Sequence, residues 1–125
     1  MSITTNCDSF YINGRWQAPH SAASLPVINP STGEASGLVA MGDESDVDSA
    51  VLAARAAFAE FSMSTRDERI ALLERVLAVY ESRLDDVAQA ITLEMGAPRA
   101  IAKRAQAAMG TGHLKAALAA LRELP

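Results

Sequence analysis

The stretch VINPSTGE, Val27–Glu34, separates two short apolar runs, residues 25–28 and 38–41, and has the composition of a connection between paired strands. Pro30 fixes its own φ and pushes Asn29 toward extended geometry, while Gly33 supplies a position free of Cβ strain. Asn29-Pro30-Ser31 is no glycosylation acceptor, because proline occupies its middle position. Upstream, FYINGRW (Phe10–Trp16) carries Asn13-Gly14, the dipeptide best suited to the positive φ angles of a type I′ hairpin turn. Residues 10–12 are therefore expected to pair with the run that starts at Arg15 and Trp16. A loop of small residues, APHSAAS, leads from there to the second pair.

Downstream of residue 42 the pattern changes from strand to helix. Ser45 with Asp48 forms a candidate capping box, and Val47, Ala50, Val51, Ala54, Phe58 and Phe61 mark one face at helical spacing. Thr65 with Glu68 repeats the box before a second helix striped by Ile70, Leu73, Leu77, Tyr80 and Leu84. Ser82 with Asp85 offers a break or a third start, and the helix carrying Val87, Ala88, Ile91 and Met95 is expected to stop at Gly96. Pro98 suits the first turn of a fourth helix, with a bend expected near Gly110-Thr111-Gly112. The expected fold class is thus α/β: N-terminal hairpin strands followed by about four helices. Residues 1–9 are expected as a flexible arm, 10–42 as strands and turns, and 43–125 as helices.

The 125 residues suffice for one modest domain that buries roughly two thirds of its unfolded surface. Alanine dominates from Ala50 onward, and aromatic residues make up only 5 %, so the core should be thin and further protein should be needed to pack against it. The chain ends at Pro125 directly after an amphipathic helix with no closing element, which suggests a longer parent. A net charge of −4 argues against a general nucleic-acid binder, and Arg99, Lys103 and Arg104 read as a solvated helix face. The N-terminus shows neither the basic nor the apolar region of a secretory signal, and no apolar run is long enough to cross a membrane. Cys7 is the only cysteine, which rules out an internal disulfide and fits a reducing cytoplasm.

Few side chains invite chemistry. Cys7 lies between Asn6 and Asp8, and an acidic neighbour disfavours the thiolate, so a mobile cysteine without function is expected. His20 and His113 have no second histidine or carboxylate at metal-ligand spacing and read as surface or boundary residues. GTGHLK, Gly110–Lys115, fails as a phosphate loop, since it lacks the third glycine, lacks Gly-Lys-Ser/Thr and falls within a helix. Glu94 stands among apolar neighbours at a helix end, where its charge opposes the macrodipole.

Taken in order, FYINGRW, VINPSTGE, DESDVDSAVLAARAAF and TRDERIALLERVLAVYESRLDDVAQAITLEMGAP, together with the closing helix, resemble the N-terminal part of an NAD(P)-dependent aldehyde dehydrogenase. The resemblance runs from Phe10 to Leu124. It implies the outer part of the cofactor-binding domain, with NAD or NADP as cofactor and an aldehyde as substrate of the complete enzyme, and a homo-oligomer. The family's nucleophilic cysteine, general-base glutamate, oxyanion asparagine and cofactor loop all lie beyond this segment. No catalytic or cofactor-binding residue is therefore carried onto the chain, and the chain alone is expected to be inactive. The resemblance also implies a monovalent cation held by the carbonyls of Val27 and Ile28 and the carboxylate of Glu94. The alternative is a truncated, noncatalytic helical module that associates through its uncovered faces.

Overall fold

A computed structural model describes residues 5–123. They fall into two compact units divided between Met63 and Ser64. The physical reason is local. The first helix ends at Phe61, and the next begins only after its N-cap, Thr65, so the helical run is interrupted at the boundary.

In the first unit, β2 (Phe10–Ile12) and β3 (Arg15–Gln17) form the expected hairpin, with Asn13 at φ 53° and Gly14 at φ 75°. Tyr11 faces Trp16 across it in an edge-to-face contact at 5.2 Å. β4 (Ser24–Ile28) runs antiparallel to β5 (Ala35–Ala40). Their connection is the turn foreseen from VINPSTGE: Asn29 Oδ1 accepts from Ser31 N–H at 2.9 Å, Gly33 N–H donates to Asn29 O at 2.8 Å, and Gly33 takes φ 75°. β1 (Thr5–Cys7) lies parallel to β5 on its other side, giving the order β1-β5-β4. Residues 5–7 of the expected flexible arm are thus a strand, because β5 offers them an open ladder edge; residues 1–4 lie outside the described residues.

α1 (Glu44–Phe61) starts two residues earlier than Ser45 with Asp48 had indicated. The cap is Asp43, whose carboxylate accepts from the N–H groups of Ser45 and Asp46 while Asp46 returns a bond to Asp43 N–H. Aspartate and serine are comparable caps, and the tie is broken by a loop contact described below. The apolar face of α1 is uncovered, with Val47, Val51, Phe58 and Phe61 all at least 47 % exposed.

The second unit is entirely helical. α2 (Arg66–Ser82) has the expected capping box, with Glu68 N–H donating to Thr65 Oγ1 at 3.3 Å and Thr65 N–H donating to Glu68 Oε2 at 2.7 Å. The Thr65 N–H, and after it the Thr65 hydroxyl, which donates to Glu68 Oε2 at 2.9 Å, hold the Glu68 carboxyl below its ordinary pKa. Ser82 does not cap α3 (Leu84–Met95), because its hydroxyl bonds back to Val79 O at 2.8 Å and Arg83 joins the two helices. α3 ends at Gly96 in the left-handed conformation, φ 70°, as expected. Pro98 is the N-cap of α4 (Arg99–Ile101) rather than a first-turn residue, and its carbonyl accepts from Ile101 and Ala102.

The fourth helix contains a π-helical segment (Ala102–Ala107) before α5 (Ala108–Glu123), so the irregularity precedes the bend expected at Gly110–Gly112. Tyr80 explains the displacement. Its hydroxyl donates to Ala107 O at 2.8 Å, an insertion of the kind that disturbs a helical ladder, and its ring lies on Gly110, where a Cβ would collide with it. Lys115 with Glu81 and Arg122 with Glu74 continue the α2–α5 seam. Among the described residues, Ala88, Ala102, Ala107 and Leu118 are the unit's buried apolar residues, and the three alanines form a cluster flanked by half-buried Leu84, Val87, Ile91 and Ala97.

The expected thinness is evident in the surface. The chain exposes 9071 Å², whereas two separate compact bodies of half its 13.2 kDa mass would together expose about 7,700 Å².

Thr65→Ala should lower the urea-unfolding stability of the helical unit by about 1 kcal/mol, with Thr65→Ser close to wild type; equal midpoints for all three proteins would contradict the capping assignment. Gly110→Ala should destabilise the same unit by about 1–3 kcal/mol through overpacking against Tyr80. A stabilised Gly110→Ala protein, the usual result of adding a methyl group within a helix, would show that the close approach is absent.

Candidate functional site

The residues implicated by sequence lie in different places. Val27 is half-buried in β4, and its carbonyl accepts from the Ser36 hydroxyl at 3.1 Å. The register shifts between Val27, opposite Gly37, and Ile28, opposite Ala35, so Ser36 occupies the extra position of a bulge. A carbonyl oxygen has a second lone pair beyond the one Ser36 engages. Glu94 is exposed in the last turn of α3, where a carboxylate faces the negative end of the helix dipole. Val27 and Ile28 belong to the first unit and Glu94 to the second. Among the described residues, no group of three or more histidine, cysteine, aspartate or glutamate side chains could hold a metal ion.

Cys7 is exposed on β1. Gly110–Lys115 lies inside α5, with Gly110 packed under Tyr80, Gly112 exposed with open space beside it, and Lys115 paired with Glu81 at 2.9 Å, so the segment is helical and does not form a phosphate loop after a strand. His113 is exposed on the same helix. Lys103 lies 2.5 Å from Asp85 and holds that carboxyl below its ordinary pKa, first through the hydrogen bond and then through its charge. Both side chains are more than half exposed, which leaves the pair little weight in stability.

Open apolar grooves are present in both units. One, of about 380 Å³, lies between Tyr11 and Ile12 of the hairpin and Ala50, Ala53, Ala54 and Ala57 of α1. The other, of about 610 Å³, lies between α2 and α3 and is lined by Val76, Val79, Tyr80 and Val87, with Arg75 and Arg83 at its edge. Neither brings a nucleophile next to a general base, so each is a packing surface and not a reaction centre.

His20 is the residue that sequence reasoning missed. Its imidazole Nδ1 stands 2.6 Å from Asp43 Oδ2, and its backbone N–H donates to both oxygens of Asp46, which is only 9 % exposed. The spacing of Asp43 and Asp46 at a helix start was a visible signal, but nothing local connects it to a loop residue more than twenty positions away.

The sequence model described as the aldehyde dehydrogenase family matches residues 16–125. A 3-succinoylsemialdehyde-pyridine dehydrogenase from a Pseudomonas species is 47 % identical over 115 residues, which is 91 % of this chain and 24 % of that protein. The crystal structure of an aldehyde dehydrogenase from Bartonella henselae superposes with a TM-score of 0.94 at 39 % identity, over 96 % of this chain and 25 % of that one. A mutant of aldehyde dehydrogenase C from Pseudomonas syringae, in complex with NAD+ and octanal, gives 0.93 at 39 % identity over 95 % and 24 %. The chain spans about a quarter of the length of the relatives it matches.

Proposed function

Because this chain belongs to the aldehyde dehydrogenase family, we propose that it is the N-terminal portion of an NAD(P)-dependent enzyme that oxidises an aldehyde to a carboxylic acid. The observation that carries the proposal is the match itself: nearly the whole chain corresponds in sequence and fold to about a quarter of each longer enzyme. Its physical properties support the same assignment. A layer whose innermost side chains are alanines, and which leaves Val47, Val51, Phe58 and Phe61 exposed, suits a body that is covered by the rest of a larger domain. A freestanding helical interaction module is the less favoured alternative, since the relatives in which this segment occurs are dehydrogenases.

In the complete enzyme, NAD(P) would supply the hydride acceptor for oxidation of the aldehyde carbon. The residues of this chain take no part in that transfer in our proposal. They supply the framework that packs on the nucleotide-binding sheet, with the hairpin and α1 forming one part and α2 to α5 the other. The NAD+ in the Pseudomonas syringae relative supports NAD as the cofactor, and its octanal supports an aldehyde substrate class. A homo-oligomeric, cytoplasmic enzyme belongs to the same proposal, on family membership. So does a monovalent cation bound through the carbonyls of Val27 and Ile28 and the carboxylate of Glu94, on the ground that oxygen donors and a negative charge suit a hard cation.

The test is reduction of NAD and of NADP, followed by absorbance, by the whole protein that carries this sequence, across aliphatic and aromatic aldehydes. Aldehyde-dependent reduction is expected from the whole protein and none from the 125-residue chain; a whole protein inert toward every aldehyde with both cofactors would refute the assignment. For the cation, the thermal midpoint of the whole enzyme should rise on adding potassium or sodium, and Glu94→Gln should remove the rise. An equal response of wild type and variant would exclude Glu94 as a ligand.

A further inference from the structure

The loop of residues 18–23, between β3 and β4, is fastened to the start of α1 at a single residue. His20 N–H donates to Asp46 Oδ1 at 3.0 Å and to Oδ2 at 3.2 Å, and its ring nitrogen Nδ1 meets Asp43 Oδ2 at 2.6 Å. Asp43 is at the same time the N-cap: its Oδ1 accepts from Ser45 N–H at 3.0 Å and from Asp46 N–H at 3.2 Å. Asp46 Oδ2 in turn accepts from Asp43 N–H at 3.0 Å. One carboxylate therefore serves the helix with one oxygen and the histidine with the other, and the second carboxylate ties together the backbones of loop and helix. We propose that His20, Asp43 and Asp46 form a pH-operated clasp, in which the imidazolium form of His20 holds the loop on the N-terminus of α1 and the neutral form loosens it.

The charges around the ring all favour its protonated form. Asp43 and Asp46 face it from the start of α1, and the loop's other residues, Ala18, Pro19, Ser21, Ala22 and Ala23, bring no titratable side chain. The hydrogen bond to Asp43 is the largest cause that raises the His20 pKa above 6.5, followed by the charge of Asp43; desolvation opposes them, and Asp46 adds a smaller push upward. The same hydrogen bond holds the Asp43 carboxyl below its ordinary 3.8.

The signs follow from linkage. The contribution of His20 is fully present below pH 6.5 and is lost as pH rises through its raised pKa, whereas that of Asp43 is fully present above pH 3.8 and is lost as pH falls through its lowered one. The clasp is therefore tightest between those two limits and relaxes toward neutral and alkaline pH. Because the His20 and Asp43 side chains are 69 % and 37 % exposed, its effect is on the loop and the first turn of α1 and not on the stability of the whole protein. A neutral imidazole can still donate through Nδ1–H, so the change is a loosening and leaves the backbone bonds to Asp46 in place.

The experiment uses hydrogen exchange read by mass spectrometry on the whole protein that carries this sequence. Exchange at the imidazole C2 position reports the His20 titration midpoint, and backbone amide exchange, corrected for its intrinsic pH dependence, reports the hold on residues 18–23. The midpoint should lie above 6.5, and corrected exchange of the loop should rise several-fold as pH is taken above it. Asp43→Asn keeps a side chain that can cap α1 but removes the charge, and it should lower the midpoint; His20→Gln should flatten the pH response of the loop. A wild-type midpoint at or below 6.5, loop exchange equal on both sides of it, or a midpoint untouched by Asp43→Asn would each overturn the clasp. The first two outcomes are read on the wild type, so the proposal stays decidable if a variant fails to fold.

Discussion

A helix faced with alanine can approach its neighbour closely but buries little when it does so, and the architecture of this chain follows from that constraint. Ala88, Ala102 and Ala107 let the π-helical segment pack directly on α3. Each brings only a methyl group, and no large side chain among the described residues is completely enclosed. Close packing without bulk yields a layer and not a self-sufficient core. The exposed apolar stripe of α1 is the same fact seen from the first unit, since Val47, Val51 and Phe58 have large surfaces that stay at least 47 % exposed.

With so little apolar bulk, positioning falls to polar contacts at a few points. Between α2 and the fourth helix those points are the Tyr80 hydroxyl on the Ala107 carbonyl and the ion pairs of Glu81 and Glu74. The ion pairs are exposed and set register more than stability. Tyr80 is different in kind, because the missing Cβ of Gly110 gives its ring room and the hydroxyl then reaches a helical carbonyl. In the first unit the corresponding points are the turn that starts at Asn29 and the bonds between His20 and the aspartates of α1.

Local determinants were legible in the sequence and long-range ones were not. The hairpin at Asn13-Gly14, the turn at Asn29 to Gly33, the cap at Thr65 and the stop at Gly96 all depend on side chains within a few residues of the backbone they shape, and each forms where its chemistry indicated. The errors share one cause. Asp43 prevailed over Ser45 as a cap in the presence of a partner 23 residues away, Ser82 was drawn back to its own helix, and the irregularity of the fourth helix moved to the carbonyl that Tyr80 reaches. The strand at residues 5–7 was likewise invisible, because three residues acquire strand geometry only from the edge of β5 beside them.

The same division governs what could be known of function. A catalytic constellation would have shown itself as paired reactive groups, and the histidines, Cys7 and Gly110 of α5 instead occupy surface, strand-edge and packing positions. What identifies the chain is an ordered series of turns, caps and alanine faces, none of them chemical, whose joint occurrence marks the family. A helix that must lie flat under other protein tolerates only small residues where it is covered, and a turn such as Asn29 to Glu34 must keep its hydrogen bonds for its strands to present the right edge. The alanine content that leaves this chain under-packed by itself accords with its matching about a quarter of each longer relative.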